Sequence, residues 1–488
     1  MNLNPWMSHL IPWTFSSAIV HQCVNVITGD YIDMATDLTL PGADPLSLSR
    51  FYSSSDIYCE EPMRAWKFNH DKVLYKILSP VSKRVTVPVD RFSNLILRDA
   101  LGVMLPFKQE RTEFRVNPEV FDKRVTNTSR EMSGRTHLKN KTLHFMGKAN
   151  FISRDGAGNH YYFKKLDSEY KSSLERMQKP NGNVIRYDYD KSNLKTITAL
   201  NKAGQLQGQL EFTLRTLKKS SSDVNLEVKG TGKSLASYDL SKVTFKGKKK
   251  WILNKAQPYE APTETYSYDR EFKRIVKKGL PDFRFLQIDY YQAGHNAVWS
   301  NKDYPVKSVR AGRVMRLLAP VGRNASPIPI YRFLYYLDAH KYKSEQLYIR
   351  SGHTDVYDAY DHKTSYHFGF DERLSKIEYF KGIDQHQLYS SELFFWGDAK
   401  TPDAGNLKAK ALTLPNGTAV FCRTYSYDPR SNVIAECLYG NLSGSCQDPL
   451  TLDRSGKPHG GECLYIGHEY TKDDRNLVAY ENHATLGK

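Results

Sequence analysis

Four stretches of the sequence share one pattern: an aromatic residue, one intervening residue, a second aromatic residue and an aspartate, followed by an apolar run. The stretches are GNVIRYDYDKSNLKTI (182–197), TYSYDREFKRIV (265–276), SYHFGFDERLSKIEYF (365–380) and RTYSYDPRSNVIAECLYG (423–440), with a weaker copy, HEYTKDDRNLVAY (468–480). Aromatic side chains two positions apart lie on one face of a strand. An aspartate at the strand end accepts hydrogen bonds from backbone N–H groups of the following turn. Each unit therefore predicts a β-hairpin.

We interpret the repeated residues as structural. They are Tyr187, Tyr189 and Asp190, then Tyr266, Tyr268 and Asp269, then Tyr366, Phe370 and Asp371, and finally Tyr425, Tyr427 and Asp428. Catalytic carboxylates converge as one pair rather than one per repeat, so these aspartates are predicted to form turns. The unequal spacing of the units excludes a regular solenoid and implies additional strands between them.

The sequence between the units also alternates apolar and polar residues, as β-strands do. Examples are 81–99, 210–219, 224–230 and 242–253. The basic run KGKKK (246–250) is predicted to be a hairpin tip, and SSLERMQK (172–179) is the best case for a short helix. With 32 tyrosines and 22 phenylalanines, residues that favour strands, the chain is predicted to be all-β. We expect an array of antiparallel β-hairpins that forms a large curved or spiralling sheet with few short helices.

Charge and cysteine content leave several partners open. The formal net charge of +17 permits binding to nucleic acid, anionic lipid or acidic polysaccharide, but the basic residues are spread along the chain. The six cysteines include no CxxC pair, which argues against a zinc ribbon or thioredoxin motif. The late four, Cys422, Cys437, Cys446 and Cys463, form one or two disulfides in an oxidising compartment or remain free thiols.

Membrane and export signals are weak in the sequence. No apolar run reaches the length of a transmembrane helix, which is about 18–20 residues. The stretch LIPWTFSSAIV (10–20) has no Lys or Arg before it and contains Pro12, so it is predicted to be a mature-like N-terminus rather than a signal peptide.

The opening stretch, VITGDYIDMATDLTLPGADPLSLSRFYSSSD (26–56), reads as two strands joined by a turn. Turns are predicted at Gly29 and at Pro41–Gly42, and Leu38, Leu40, Leu46 and Leu48 are predicted to supply a packed face. Asp30, Asp33 and Asp37 are interpreted as turn and edge residues.

This stretch resembles the opening motif of the Rhs/YD-repeat family, and the aromatic-x-aromatic-Asp units resemble its YD repeats. The matching motif positions are Gly29, Asp30, Asp37, Pro41, Gly42, Pro45, Leu48, Arg50 and Tyr52. The segments ILRDALGVMLPF (96–107) and FISRDGAGNHYYF (151–163) resemble the hairpins that follow the motif in that family.

The resemblance implies a spiralling array of hairpins that closes as a hollow shell, often around a C-terminal toxin, in a secreted or cell-surface protein. We expect an N-terminal leader or irregular segment (1–23), an Rhs-type opening β segment (24–110) and a degenerate YD-repeat hairpin array (151–488). Residues 111–150, which are the least patterned and most charged, are predicted to be a loop or insertion. The chain is shorter than a full shell and shows no toxin segment, so we expect an N-terminal portion, a split member or a decayed copy. A separately encoded shell segment or toxin cargo is the expected partner.

The sequence lacks three common enzyme signatures. HExxH, GxxxxGK[ST] and GxSxG do not occur. One polar cluster, 352–368, contains His353, Asp355, Asp358, Asp361, His362 and His367. Along a strand His353 and Asp355 share a face and Asp358 points away. We therefore predict a non-enzymatic scaffold with no catalytic residues, metal or cofactor. The alternatives are an adhesive protein that binds carbohydrate or a polyanion through its tyrosines, and a metal-dependent hydrolase or nuclease.

Overall fold

A computed structural model describes the chain in twenty-two ranges. These are 18–54, 65–76, 93–98, 104–110, 113–116, 142–146, 150–154, 158–164, 171–190, 193–216, 223–232, 234–245, 247–271, 273–292, 312–323, 325–341, 347–369, 373–383, 386–397, 406–428, 432–472 and 477–486. All regular elements within these ranges are β-strands, which confirms the predicted all-β class.

The strands fall into an N-terminal group and a long series. The N-terminal group is β1 (Ile19–Val20), β2 (Val24–Asn25), β3 (Ile32–Leu40), β4 (Leu46–Ser53) and β5 (Trp66–Phe68). The first half of the series is β6 (Val73–Lys76), β7 (Ser93–Arg98), β8 (Met104–Glu110), β9 (Glu113–Val116), β10 (Thr142–Met146), β11 (Asn150–Arg154), β12 (His160–Phe163), β13 (Lys171–Gln178), β14 (Val184–Asp190), β15 (Asn193–Leu200), β16 (Leu206–Thr216), β17 (Asp223–Gly230), β18 (Leu235–Phe245), β19 (Lys248–Gln257) and β20 (Glu264–Tyr268). The second half is β21 (Ile275–Gly279), β22 (Phe285–Tyr290), β23 (Val314–Pro320), β24 (Pro327–Lys341), β25 (Leu347–Asp358), β26 (Lys363–Phe368), β27 (Leu374–Lys381), β28 (Gln387–Trp396), β29 (Leu407–Thr413), β30 (Ala419–Tyr427), β31 (Val433–Gly440), β32 (Thr451–Leu452), β33 (Pro458–His459), β34 (Glu462–Tyr470) and β35 (Val478–Leu486).

One antiparallel sheet contains most of the strands. From β6 to β31, and on through β34 and β35, each strand pairs with the next, and a further pairing joins β6 to β13. Strands β3, β4 and β5 form a separate antiparallel sheet, in which β3 and β4 are the predicted opening hairpin. The predicted tip at KGKKK joins β18 to β19, with Gly247 at φ 75°.

The predicted helix at 172–179 is wrong, because these residues form β13. Leu, Met and Glu favour helices, but strand pairing with β12, β14 and β6 overrides that preference. A register shift against β12 leaves Glu175 as an extra residue, so Leu174 and Met177 are both buried although they lie three positions apart. A three-residue apolar spacing usually indicates a helix, and here it comes from a bulged strand.

The N-terminal residues 18–54 and 65–71, which we call the opening segment, pack against one face of the long sheet. Their contacts reach from Lys179, after β13, to Thr354 in β25. Strands β13 and β25 are twelve strand spacings apart. At about 4.8 Å per spacing, they would lie about 58 Å apart in a flat sheet. The nine-residue strand β3 is only about 30 Å long. The sheet must therefore curve around the opening segment, which supplies much of its core.

Candidate functional site

The opening hairpin joins the long sheet through its leucines. Leu38, Leu40, Leu46 and Leu48 are all buried, as predicted for the packed face. Leu40 lies against Gly208 and Gly230, and a Cβ atom at Gly230 would come within 2.6 Å of its Cδ2 atom. The absence of a side chain on these two glycines lets the hairpin lie close to the backbone of the sheet.

Asp37 occupies a β-bulge in the middle of β3. The register passes from Thr36 opposite Ser49 to Leu38 opposite Leu48, which leaves Asp37 without a partner residue. A bulge turns its extra residue toward a new direction. Asp37 is consequently only 1% exposed, and its carbonyl oxygen accepts a hydrogen bond from the Tyr259 backbone N–H at 2.7 Å.

Arg50 of β4 pairs with this carboxylate. Its Nε atom lies 3.1 Å from an Asp37 oxygen, and the side chains of both residues are essentially inaccessible to solvent. The other guanidinium nitrogens bond Glu264 and donate to the Tyr266 hydroxyl at 2.8 Å, both from β20. The guanidinium also lies 5.4 Å from the centre of the Trp66 ring. Arg50 therefore connects the opening hairpin to the long sheet.

The ion pairs continue from Glu264 to the start of β3. Lys278 of β21 places its Nζ atom 2.9 Å from Glu264 and 2.8 Å from Asp33. The resulting series, Asp33–Lys278–Glu264–Arg50–Asp37, alternates in charge and crosses twice between the opening segment and the sheet. We call these five residues the charge chain.

Tyrosine hydroxyls complete the hydrogen bonding of the charge chain. Tyr238 donates to Asp37 and Tyr266 donates to Glu264, each at 2.8 Å. Burial raises the pKa of Asp37 to about 6, against the opposing effects of Arg50 and Tyr238. For Glu264, burial is outweighed by the charges of Arg50 and Lys278, and its pKa falls below its ordinary value.

The interpretation of Asp33 and Asp37 as turn residues is therefore wrong, whereas β3, which contains both, is an edge strand of its three-stranded sheet, as expected of edge residues. Both residues lie within β3, and their buried carboxylates form ion pairs with Arg50 and Lys278. Only Asp30 matches a turn position, where its N–H bonds the Thr28 hydroxyl at 3.2 Å. Asp33 and Lys278 are far apart in sequence, so the pattern of β3 alone gave no sign of the partner.

Other residues of the opening motif also contact the long sheet. Gly29 has φ +72° and its carbonyl accepts the Val314 N–H at 2.8 Å. The Tyr52 hydroxyl accepts the Ile275 N–H at 3.1 Å. Pro41, Gly42 and Pro45 lie in the connection between β3 and β4, where the neighbouring Asp44 pairs with Lys179.

His70 is a further contact that the sequence did not indicate. Its ring lies between the Tyr187 hydroxyl, 3.1 Å from Nδ1, and the Ser47 carbonyl, 2.9 Å from Nε2. Nε2–H therefore donates to Ser47, and Nδ1 accepts from Tyr187. Burial lowers the pKa of His70 to about 4, so the ring is neutral in the folded protein.

The second aromatic position of the YD units has a defined structural role. Tyr268 donates to the Leu253 carbonyl at 2.5 Å, and Tyr427 donates to the Leu407 carbonyl at 2.7 Å. Both carbonyls lie beside a register shift in the preceding strand. The same bond, from aromatic side chain to a carbonyl beside a bulge, recurs for Tyr290 to Ile275, Tyr335 to Val314, Trp396 to Leu374 and Tyr470 to Val433.

These bonds satisfy carbonyl groups that the bulges remove from the regular ladder. At these six places they also tie a hairpin to the one before it, so we call them hairpin latches. The first aromatic residues Tyr187, Tyr266 and Tyr425 are buried on the core face, and Tyr366 and Tyr189 pack against the same core.

The repeat aspartates lie at hairpin turns. Asp269 accepts from the backbone N–H groups of Lys273 and Arg274 at 2.9 and 3.3 Å, and Asp428 accepts from that of Asn432 at 2.9 Å. Asp190 ends β14 opposite Asn193. Because successive antiparallel strands reverse direction, these turns share one edge of the sheet. Phe370 and Asp371 lie outside the described residues.

The polar cluster at 352–368 divides between a sheet face and a turn. Thr354 bonds the Val26 carbonyl of the opening segment, so its neighbours His353 and Asp355 point to the opposite face. Asp355 pairs with Lys363 at 3.0 Å, and His353 lies 3.9 Å from Asp355.

Two stacking contacts place His353 between aromatic rings. Its ring lies 4.5 Å from that of Tyr336 and 5.2 Å from that of His367, which in turn bonds Glu378 at 2.7 Å. Burial lowers the pKa of His353, with Asp355 opposing.

The remaining members of the cluster lie in the β25–β26 turn. Asp358 accepts the N–H groups of Tyr360 and His362, and Asp361 pairs with Arg332. Within the described ranges, no three His, Cys, Asp or Glu side chains are grouped so that they could hold a metal ion. The part of the chain that the structure covers also contains no helix long and apolar enough to cross a membrane.

Comparisons with known proteins identify the opening segment and little else. Residues 21–87 match a family model described as a domain of unknown function, DUF6531. No curated protein matches the chain. The family match covers β2 to β6, the part of the chain that carries three residues of the charge chain.

Similar solved structures are distant. The chain aligns over 81% of its length with 19% of TcdB2-TccC3 lacking its hypervariable C-terminal region, at 10% identity and a TM-score of 0.34. The alignment with TcdB2-TccC3-Cdc42 covers 94% of this chain and 26% of that one, at 9% identity and a TM-score of 0.31. The alignment with the Photorhabdus luminescens Tc holotoxin pore covers 91% of this chain and 26% of that one, at 9% identity and a TM-score of 0.14. TM-scores this low do not establish a common architecture.

Proposed function

We propose that the chain is a non-enzymatic scaffold of the Rhs/YD-repeat type that forms part of a curved β-wall in a secreted or surface toxin-like system. The observation that carries the proposal is the recurrent hairpin latch, by which an aromatic side chain satisfies a bulge carbonyl of the preceding strand at six places in the described part of the sheet. A repeated device of this kind builds a continuous wall and needs no catalytic group. The opening segment anchors the wall from its core side.

Two features of the chain support an architectural role over an enzymatic one. The buried ionisable groups of the charge chain are all paired with one another, which leaves them no position from which to act on a substrate. The polar cluster on the opposite face is likewise used in ion pairs, stacking and a turn. The expected partner is a separately encoded wall segment or a toxin cargo that the wall surrounds.

Enclosure can be tested directly with a reporter. A flexible peptide with a protease site is fused after Lys488, and its cleavage rate is compared with that of the free peptide. A wall that surrounds a following polypeptide protects the reporter by at least tenfold. Cleavage at the rate of the free peptide would contradict enclosure.

Catalysis is tested with His353→Ala and Asp355→Asn. A panel of ester, glycoside and nucleic-acid substrates, with and without divalent metal ions, is compared for the wild type and both variants. The scaffold proposal expects no turnover in any of the three proteins. Turnover that is lost in either variant would refute it and favour a hydrolase or nuclease.

Binding to heparin and to DNA tests the remaining alternative. The net charge of +17 favours weak, non-specific retention that disappears at moderate salt. Tight binding that survives physiological salt would instead support an adhesive protein that binds a polyanion.

A further inference from the structure

Two cysteines near the C-terminal end of the sheet are diagonal neighbours. Cys437 of β31 lies opposite Tyr465 of β34, and Cys463 of β34 lies opposite Tyr439 of β31. Residues two apart on a strand share a face, and opposite residues share it as well. Cys437 and Cys463 therefore project from the same face of adjacent strands, on either side of the excursion formed by residues 441–461.

Neither of these two cysteines forms a disulfide. The Cys437 thiol adds to the effect of burial, which raises the pKa of Cys463. Tyr439, which lies directly opposite Cys463, opposes this rise in pKa. Cys463 is buried, whereas Cys437 is half-buried and open to a small reagent.

The excursion between the two cysteines packs against this region. Its residue Leu450 is buried with Ala409, Ala411 and Cys422 in a small second core that includes part of Tyr439. A covalent bond between β31 and β34 would close the base of the excursion and hold it on the sheet.

We propose that Cys437 and Cys463 are a thiol–disulfide exchange site, which a low-molecular-weight disulfide such as oxidised glutathione converts into an intramolecular disulfide between β31 and β34. Diagonal Cα atoms in an antiparallel pair lie about 7–8 Å apart. A disulfide requires about 4.4–6.8 Å, so closure draws the strands together by about 1 Å. The register places both side chains on the same face of the sheet, where the bond would form.

The exchange proceeds in two balanced steps. The Cys437 thiolate attacks one sulfur of oxidised glutathione, forms a mixed disulfide and releases one glutathione thiolate. The Cys463 thiolate then attacks the Cys437 sulfur and releases the second. Each protein thiol gives up one proton, and each released glutathione thiolate takes up one. The net reaction converts one oxidised glutathione and two protein thiols into two reduced glutathione molecules and one protein disulfide.

The second step is expected to be slower because Cys463 must ionise. Burial raises the pKa of this thiol, and the Tyr439 hydrogen bond opposes the rise. Tyr439→Phe keeps the ring and removes the hydroxyl. It should slow closure and leave the first step unchanged, so the mixed disulfide at Cys437 should accumulate.

The other cysteines serve as controls. Cys422 is fully buried on the neighbouring strand β30, and burial raises the pKa of its thiol to about 12, so it is a poor nucleophile. Cys446 lies in the excursion, where its thiol contacts the Asp448 carbonyl at 3.7 Å. Neither is expected to react with Cys437 or Cys463 in the folded protein.

The test treats the full chain with oxidised glutathione and counts free thiols in denaturant. The wild type, Cys422→Ser and Cys446→Ser should each lose two thiols, and peptide mapping should join Cys437 to Cys463. Cys437→Ser and Cys463→Ser should lose no pair, and the latter should stop at one glutathione adduct. A wild type that keeps all six thiols, or a linkage mapped to Cys422 or Cys446, would overturn the proposal.

Discussion

Replacing Arg50 by methionine should strongly destabilise the protein. The substitution keeps most of the side-chain volume and removes the cation that faces Asp37 and Glu264. Breaking a buried ion pair by removing one partner costs about 3–5 kcal/mol, because a charge stays buried without compensation. Arg50 is 1% exposed, so solvent cannot replace the guanidinium. We expect a loss in this range in the free energy of unfolding at pH 7.

The cost should decrease as the pH falls. In Arg50→Met the folded-state pKa values of Asp37 and Glu264 rise relative to the wild type, whereas their unfolded-state values stay near 3.8 and 4.5. A group whose folded-state pKa is raised costs stability at high pH, and the cost is recovered as the pH falls through that pKa. The recovery is at most about 1.4 kcal/mol per pH unit for each carboxyl group that protonates.

Urea unfolding, followed by tryptophan fluorescence and circular dichroism, provides the assay. Arg332→Met is the matched control, because Arg332 also pairs with an aspartate but both side chains are about half exposed. It should cost less than about 1 kcal/mol. The triple variant Arg50→Met, Asp37→Asn, Glu264→Gln should regain most of the loss. Equal costs for the two arginine variants, or a triple variant no more stable than Arg50→Met, would refute the reasoning.

Three further substitutions test other contacts of the opening segment and the hairpins. Because the folded-state pKa of His70 is depressed to about 4, its stabilising contribution is present above pH 6.5 and is lost as the pH falls toward 4. Over that pH range the free energy of unfolding of the wild type should fall by about 3 kcal/mol relative to that of His70→Gln, as measured by urea unfolding. If the free energies of unfolding of the two proteins changed in parallel with pH, the assignment would be contradicted. Gly29→Ala should lower the free energy of unfolding by about 2–4 kcal/mol, because φ is +72° and the new Cβ would lie 2.5 Å from the Arg313 side chain. The control Gly204→Ala also has a positive φ but open space around the new Cβ, so it should lose only about 1–2 kcal/mol. Equal losses in the two variants would exclude the steric explanation. Tyr427→Phe should cost about 1–3 kcal/mol, since the Leu407 carbonyl loses its partner, and a neutral substitution would show that the latch is dispensable.

The fold was largely predictable because its signals are local. Alternation of apolar residues, turn residues and the repeated aromatic pairs all act within one hairpin, and the structure contains those hairpins. The misassigned segment 172–179 shows the limit, because a bulge changed which residues were buried. A bulge depends on the partner strand, and a single sequence does not reveal register.

The charge chain was not predictable for a similar reason. Asp37 points into the core only because it occupies a bulge, and the alternating pattern around it gives no sign of the extra residue. Its connection to Glu264 through Arg50 spans more than 200 residues. The hairpin latches fall between these cases: the aromatic positions were identified, but the carbonyl acceptors beside the bulges were not.

The charge chain also explains how one opening segment finds one position on a sheet of similar hairpins. Successive hairpins present comparable rows of tyrosine, leucine and isoleucine, so apolar contacts alone would permit docking in several registers. Asp33 and Arg50 have fixed positions in the opening hairpin, and Lys278 of β21 and Glu264 of β20 stand in the complementary arrangement. A shift by one hairpin would keep the Arg50–Asp37 pair but would separate Arg50 from Glu264 and Asp33 from Lys278, at a cost of several kcal/mol. We therefore infer that the buried charges are retained for register rather than for stability, because apolar residues of similar volume would stabilise the junction equally well but would not select one hairpin.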